Sequence, residues 1–103
     1  MNVQTLNSEE LRARKDHRCT ECCRTIPAGT VYKRESLVYD GRVYTWKAHL
    51  DCFALAMELA DVGDWYDYGD GRPPLHEMVE QEDLDEWRGV YPHAVTRLEW
   101  WRQ

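Results

Sequence analysis

The feature that most constrains this sequence is a pair of short motifs with the same internal spacing. Two residues separate Cys19 from Cys22, 26 residues follow, and two residues separate His49 from Cys52. Structural Zn²⁺ takes four thiolate or imidazole ligands in a tetrahedron, and a tight turn with this spacing supplies two of them. We therefore predict one structural zinc ion held by Cys19, Cys22, His49 and Cys52.

Two nearby residues compete for places in this ligand set. Cys23 can replace Cys22, and His17 can replace His49, although His49 has the spacing that pairs with Cys52. The N-terminal residues lack the apolar region of a secretory signal, and no apolar stretch reaches the roughly 18 residues of a membrane span. We therefore expect a cytoplasmic protein, where cysteines are more often metal ligands than disulfides.

A β-hairpin is predicted between the two ligand pairs. Residues 31–39 and 42–48 are rich in β-formers and flank Asp40-Gly41, a dipeptide that favours a two-residue hairpin turn. Counting outward from the turn pairs Val38 with Val43, Leu37 with Tyr44, Glu35 with Trp46 and Arg34 with Lys47. We expect Leu37, Tyr44 and Trp46 to face the core. On the other face Arg34 and Lys47 lie directly opposite each other, a pairing of like charges that normally costs stability.

Helices are expected after the hairpin. Residues 50–61 carry an apolar stripe of Leu50, Phe53, Ala54 and Met57, which predicts a helix that begins at the second ligand pair. Residues 75–88 have roughly helical apolar spacing. Pro92 suits the first turn of a last helix through residue 102, with Val95, Leu98 and either Trp101 or Trp100 inward. Before the turn that carries Cys19 and Cys22, Asn7 and Glu10 indicate a short helix, and a basic tail is the alternative.

Composition and charge divide the chain into parts. Leu, Ile, Val and Phe make up only 19 of 103 residues, so a metal would add much to so small a core. Residues 1–60 carry a net charge of +1 and residues 61–103 a net charge of −7. We predict a single domain: a basic segment or short helix (1–16), a zinc finger (17–62) and an acidic extension (63–103) packed through its tryptophans.

The zinc motif resembles two known groups of proteins. Cys19-x2-Cys22, Ile26-Pro27-x-Gly29, and Trp46 shortly before His49-x2-Cys52 are similar to the zinc finger of poly(ADP-ribose) polymerases and DNA ligases over residues 19–53. Residues 14–53 also resemble small phage and bacterial treble-clef zinc-finger proteins. The resemblance implies a small α+β fold, a zinc-bound treble clef of knuckle, hairpin and helix with a C-terminal helical extension, in a bacterial or phage-infected cell.

The function expected is that of a non-enzymatic interaction module. An acidic, aromatic surface would bind a protein partner, and the phage resemblance makes an inhibitor of a host nucleic-acid-handling or defence protein one instance. The candidate interface residues are Asp64, Trp65, Asp67, Asp70, Trp100 and Trp101. The alternative is a nucleic-acid-binding finger that uses Arg34, Lys47 and Arg42. We expect no catalytic residues, because no nucleophile and base are placed by a recognisable motif.

Overall fold

The computed structural model describes residues 4–39, 41–63, 74–79 and 83–102 as a small α+β fold. The strands are β1 (Gln4–Arg12), β2 (His17–Arg18), β3 (Thr25–Ile26), β4 (Val31–Tyr39) and β5 (Arg42–His49). The helices are α1 (Leu50–Gly63), α2 (Leu75–Met78), α3 (Leu84–Trp87) and α4 (Pro92–Arg102). A three-stranded antiparallel sheet has the order β1-β4-β5, and β2 pairs with β3.

The predicted hairpin and its register are confirmed. Strands β4 and β5 pair from Tyr32 opposite His49 to Tyr39 opposite Arg42. Gly41 has a φ of 78°, a left-handed value that glycine adopts without steric cost, whereas Asp40 lies outside the described residues. The turn therefore sets the register of the whole hairpin. All four predicted residue pairs are observed, among them Arg34 opposite Lys47.

The N-terminal segment differs from both predictions, because β1 is a strand rather than a helix or a basic tail. It pairs antiparallel with β4, on the side of β4 opposite β5. Hydrogen bonds to the backbone of β4 stabilise this strand although its sequence is mostly polar. The pairing sets Glu9 opposite Arg34, and their side chains form an ion pair at 3.6 Å. A carboxylate thus offsets the repulsion predicted between Arg34 and Lys47.

Helix α1 is confirmed, but its predicted apolar stripe is wrong. The buried face consists of Cys52, Leu55, Ala56 and Ala60, whereas Leu50 is 39 % exposed. Cys52 is a predicted metal ligand and must point inward, and residues three and four positions later follow it onto the same face. The apolar residues of the predicted stripe lie on the flank of this face.

The described part of the C-terminal half is helical, as predicted, but one detail differs. The predicted helix 75–88 is interrupted, because Val79 is extended at φ −88° and ψ 135° and ends α2. The described core residues of this half are mostly aliphatic, and Trp87 is partly buried. The side chains of Trp65, Trp100 and Trp101 fall outside the described residues, so packing of this half through its tryptophans stays a prediction. The inward-facing residues predicted on α4, Val95 and Leu98, are both fully buried. No helix in the described ranges has the length and apolar character needed to cross a membrane.

One cluster of buried side chains joins both halves of the chain. It contains Cys19, Cys22 and Cys52 from the first half, next to Ile26 and Leu55. Residues of α2, α3 and α4 complete the same cluster, namely Leu75, Leu84, Ala94, Val95 and Leu98. The predicted ligands therefore lie inside the core of the molecule.

Candidate metal centre

The first ligand pair lies on a tight turn between β2 and β3. The Cys19 amide donates to the Arg24 carbonyl at 2.8 Å, and the Cys23 amide donates to the Cys19 carbonyl at 2.9 Å. Cys23 has a φ of 66°. This left-handed residue after the second cysteine reverses the chain. The Thr20 amide also donates to the Lys47 carbonyl at 2.7 Å, which fixes the turn to β5.

The second ligand pair lies where the hairpin runs into α1. His49 is the last residue of β5, and Cys52 belongs to the first turn of α1. Asp51 accepts a hydrogen bond from the Cys52 amide at 2.9 Å. That amide is one of the unpaired donors at a helix start, so Asp51 stabilises the turn that carries Cys52.

The four predicted ligands converge on one point. Cys19, Cys22, His49 and Cys52 are all buried, and their ligand atoms lie within 4.8 Å of one another. The Nδ1 atom of His49 is 3.5 Å from the Cys22 sulfur and 3.7 Å from the Cys52 sulfur. Metal bonds of about 2.0 Å to nitrogen and 2.3 Å to sulfur give a tetrahedral N···S edge of roughly 3.5 Å. These residues are positioned to coordinate one metal ion.

The hydrogen bond of the second imidazole nitrogen fixes the tautomer of His49. Its Nε2 atom lies 3.1 Å from the Thr25 carbonyl, which can only accept a hydrogen. Nε2 therefore carries the proton, and Nδ1 keeps its lone pair for the cluster. Metal-binding histidines generally use their outer nitrogen in this way.

Two further donors compensate the negative charge of the sulfurs. The His49 amide donates to the Cys19 sulfur at 3.4 Å. Arg97 on α4 donates to the Cys52 sulfur at 3.5 Å and to an Asp51 carboxylate oxygen at 2.7 Å. A site with three thiolates and Zn²⁺ carries one net negative charge. The positively charged guanidinium of Arg97, next to the Cys52 sulfur, would partly neutralise this charge.

The thiols also influence one another strongly. Hydrogen bonds with Cys19 and Cys52 lower the pKa of Cys22 to about 4. Hydrogen bonds to Cys19 and Cys22, together with burial, raise the pKa of Cys52 well above its usual range. A thiolate thus forms readily at Cys22, whereas ionisation of Cys52 is opposed by its burial and by its neighbours. A cation among the sulfurs removes this opposition, as metal binding to thiols requires.

The two competing ligands lie outside the cluster, so those alternatives are wrong. The Cys23 sulfur is 3.6 Å from Nδ1 of His76, which is itself 3.0 Å from the Glu21 carbonyl. The His17 ring packs against Tyr32 with centroids 5.1 Å apart, and its Nδ1 is 3.3 Å from Lys47 Nζ. Burial, followed by the positive charges of nearby lysines, lowers the pKa of His17.

The other candidate residues are dispersed. Arg34 and Lys47 share one sheet face, whereas Arg42 lies on the other, because it is an odd number of positions from Lys47 along β5. Trp100 and Trp101 belong to α4, but their side chains fall outside the described part of the chain. The remaining interface candidates also lie outside the described residues: Asp64, Trp65, Asp67 and Asp70.

A buried carboxylate between the first two ligands was missed by the sequence analysis. Glu21 is fully buried, and its carboxylate accepts hydrogen bonds from Trp46 Nε1 and from the Leu75 amide, both at 2.9 Å. Its carbonyl also accepts from the His76 amide at 2.9 Å. The only sequence signal was a charged residue inside a turn otherwise occupied by ligands. For Arg97 there was no signal, since its partners lie 45 and 46 positions away.

Comparisons with known proteins add no identification. No protein-family model matches the chain, and no curated protein or solved structure shows significant similarity to it.

Proposed function

We propose that this chain is a non-enzymatic interaction module held together by one structural zinc ion in a treble-clef arrangement. The observation that carries the proposal is the buried set of three cysteines and one histidine within 4.8 Å of one another. Three sulfurs and one imidazole in tetrahedral arrangement favour zinc among the common protein metals. Four protein ligands leave no position for a reactive water, which supports a structural role.

The zinc site is tested by metal analysis with a matched cysteine control. Purified protein should contain one equivalent of zinc, and Cys52→Ser should lose the metal together with most of its helical circular dichroism. Cys23→Ser removes the one cysteine that lies outside the cluster, so it should keep both. Equal metal loss in the two variants, or a folded metal-free wild-type protein, would contradict the proposal.

We further propose that the acidic C-terminal half binds a protein partner. The net charge of −7 over residues 61–103 supports this, because it favours a basic protein surface and disfavours a phosphate backbone. The resemblance to small phage and bacterial proteins extends the proposal to an inhibitor of a host nucleic-acid-handling or defence protein. A nucleic-acid surface made of Arg34, Lys47 and Arg42 has less support, since Arg42 does not share a sheet face with the other two.

The partner proposal is tested with a co-purified protein that is then isolated. Calorimetric titration of that protein should show binding that weakens with added salt. Changing Asp64, Asp67 and Asp70 together to asparagine should weaken this binding at least tenfold. The control Glu10→Gln, at an exposed position outside the acidic half, should have little effect. Binding that is equally strong in both variants would refute the role of the acidic half.

A further inference from the structure

A depression lies on the sheet face that carries Arg34 and Lys47, at the end of β1. Its volume is about 840 Å³, which suits a ligand of the size of one or two nucleotides. Apolar side chains of Leu11, Ala13 and Tyr32 line it together with the cationic segment that follows β1. No acidic residue contributes to this lining among the described parts of the chain.

The cations at this depression are available to a ligand. Arg14 and Lys15 are exposed, and neither forms an ion pair within the described ranges. The nearby carboxylates are engaged elsewhere, because Glu9 pairs with Arg34 and Asp16 accepts a hydrogen bond from the Ala28 amide at 2.9 Å. Neither carboxylate lines the depression, so every charged side chain that an anion would meet in its lining is a cation.

Aromatic rings adjoin the cations. The half-buried His17 lines the depression, and its ring lies at 41° to that of Tyr32. The contact between Lys47 Nζ and His17 Nδ1 at 3.3 Å orients this imidazole. Proteins bind unpaired nucleotides through aromatic rings that lie next to a row of cationic side chains. The rings contact the bases, and the cations contact the phosphates.

We propose that this depression binds single-stranded nucleic acid, with phosphates at Arg14 and Lys15 and a base against the apolar floor and His17. A duplex presents its phosphates but keeps its bases stacked, so it would leave the apolar floor uncovered. An acidic peptide would satisfy the cations but offers no flat ring in each repeat. The proposal goes beyond the interaction module inferred above, because it assigns a second binding surface. This surface is cationic, whereas the C-terminal half carries a net negative charge.

Anisotropy titrations at low salt test this surface with four labelled probes: a short oligothymidylate, an oligouridylate, a DNA duplex of the same length and an oligoglutamate. Each variant is first shown to retain one equivalent of zinc and the wild-type circular dichroism. We expect the two single strands to bind most tightly. Arg14→Glu and Lys15→Glu should each weaken that binding by about tenfold and reduce its salt dependence.

Two matched controls separate a local site from general charge. Arg42→Glu makes the same charge change on the opposite sheet face, so it should weaken binding much less than Arg14→Glu. His17→Phe keeps a ring and should retain affinity that His17→Ala loses. The proposal is overturned if Arg42→Glu and Arg14→Glu are equivalent, if the oligoglutamate or the duplex binds best, or if wild-type protein binds none of the probes.

Discussion

Glu21→Gln is the change that most directly tests how the turn bearing Cys19 and Cys22 holds the C-terminal half. The wild-type carboxylate accepts from two donors, the partly buried Trp46 Nε1 on the sheet and the buried Leu75 amide at the start of α2. Glutamine has nearly the same shape but only one accepting oxygen, so its amide group must face one of the two donors. That donor then loses its acceptor, and the cost is largest if it is the buried Leu75 amide.

The expected cost follows from these two contacts. A buried donor without an acceptor costs about 1–3 kcal/mol, and relief from burying a charge recovers part of this. We therefore expect zinc-loaded Glu21→Gln to lose about 2 kcal/mol of unfolding free energy, against a total of about 5–15 kcal/mol for a small domain. If the loss falls on α2, amide exchange at Leu75 and His76 should accelerate about thirtyfold.

The measurements are urea unfolding with saturating zinc and residue-resolved hydrogen exchange. Glu77→Gln is the matched control, because it makes the same chemical change at an exposed position of α2. It should alter the unfolding free energy by no more than about 0.5 kcal/mol. The reasoning is refuted if the two variants are equally stable, or if Glu21→Gln leaves exchange at Leu75 unchanged.

Further predictions concern the metal and its surroundings. Arg97→Leu removes the cation beside the Cys52 sulfur and should weaken zinc binding about 10–100-fold in competition with a chromophoric chelator; unchanged affinity would contradict its role. A strong chelator should abolish the helical circular dichroism, and added zinc should restore it. Gly29→Ala, at a φ of 90°, should cost about 1–2 kcal/mol in urea unfolding, and no loss would be inconsistent with that backbone conformation. Leu98→Ala should cost about 2–5 kcal/mol, whereas Leu6→Ala at an exposed position should cost little.

The ligand set and the hairpin could be predicted because each depends on residues close together in sequence. Two residues between ligands fit a turn, and the Asp40-Gly41 turn sets the register for every pair up to Tyr32 opposite His49. Glycine at a positive φ fixes the chain direction there, and alternation along the strands then determines the faces. These signals need no knowledge of distant residues.

The missed elements depend on partners far along the chain. Asn7 and Glu10 have the local pattern of a helix start, but eight residues of this segment pair with β4, so β1 forms instead. The face of α1 was misjudged for a related reason. Its apolar stripe was inferred from hydrophobicity alone, whereas Cys52 must point at the other ligands and thereby rotates the helix.

The contacts of Glu21 and Arg97 also change how the low aliphatic content should be understood. Glu21, between two ligands, binds the first residue of α2, and Arg97 of α4 binds the sulfur of a third ligand. Both of these contacts thus begin at the ligand cluster, at a residue that a bound metal would hold in place. Because the same buried cluster contains the ligands and Leu98, metal binding and docking of the C-terminal helices stabilise each other. A metal ion bound here would therefore support the whole buried cluster, including its C-terminal residues, and not only the turn and hairpin that supply the ligands.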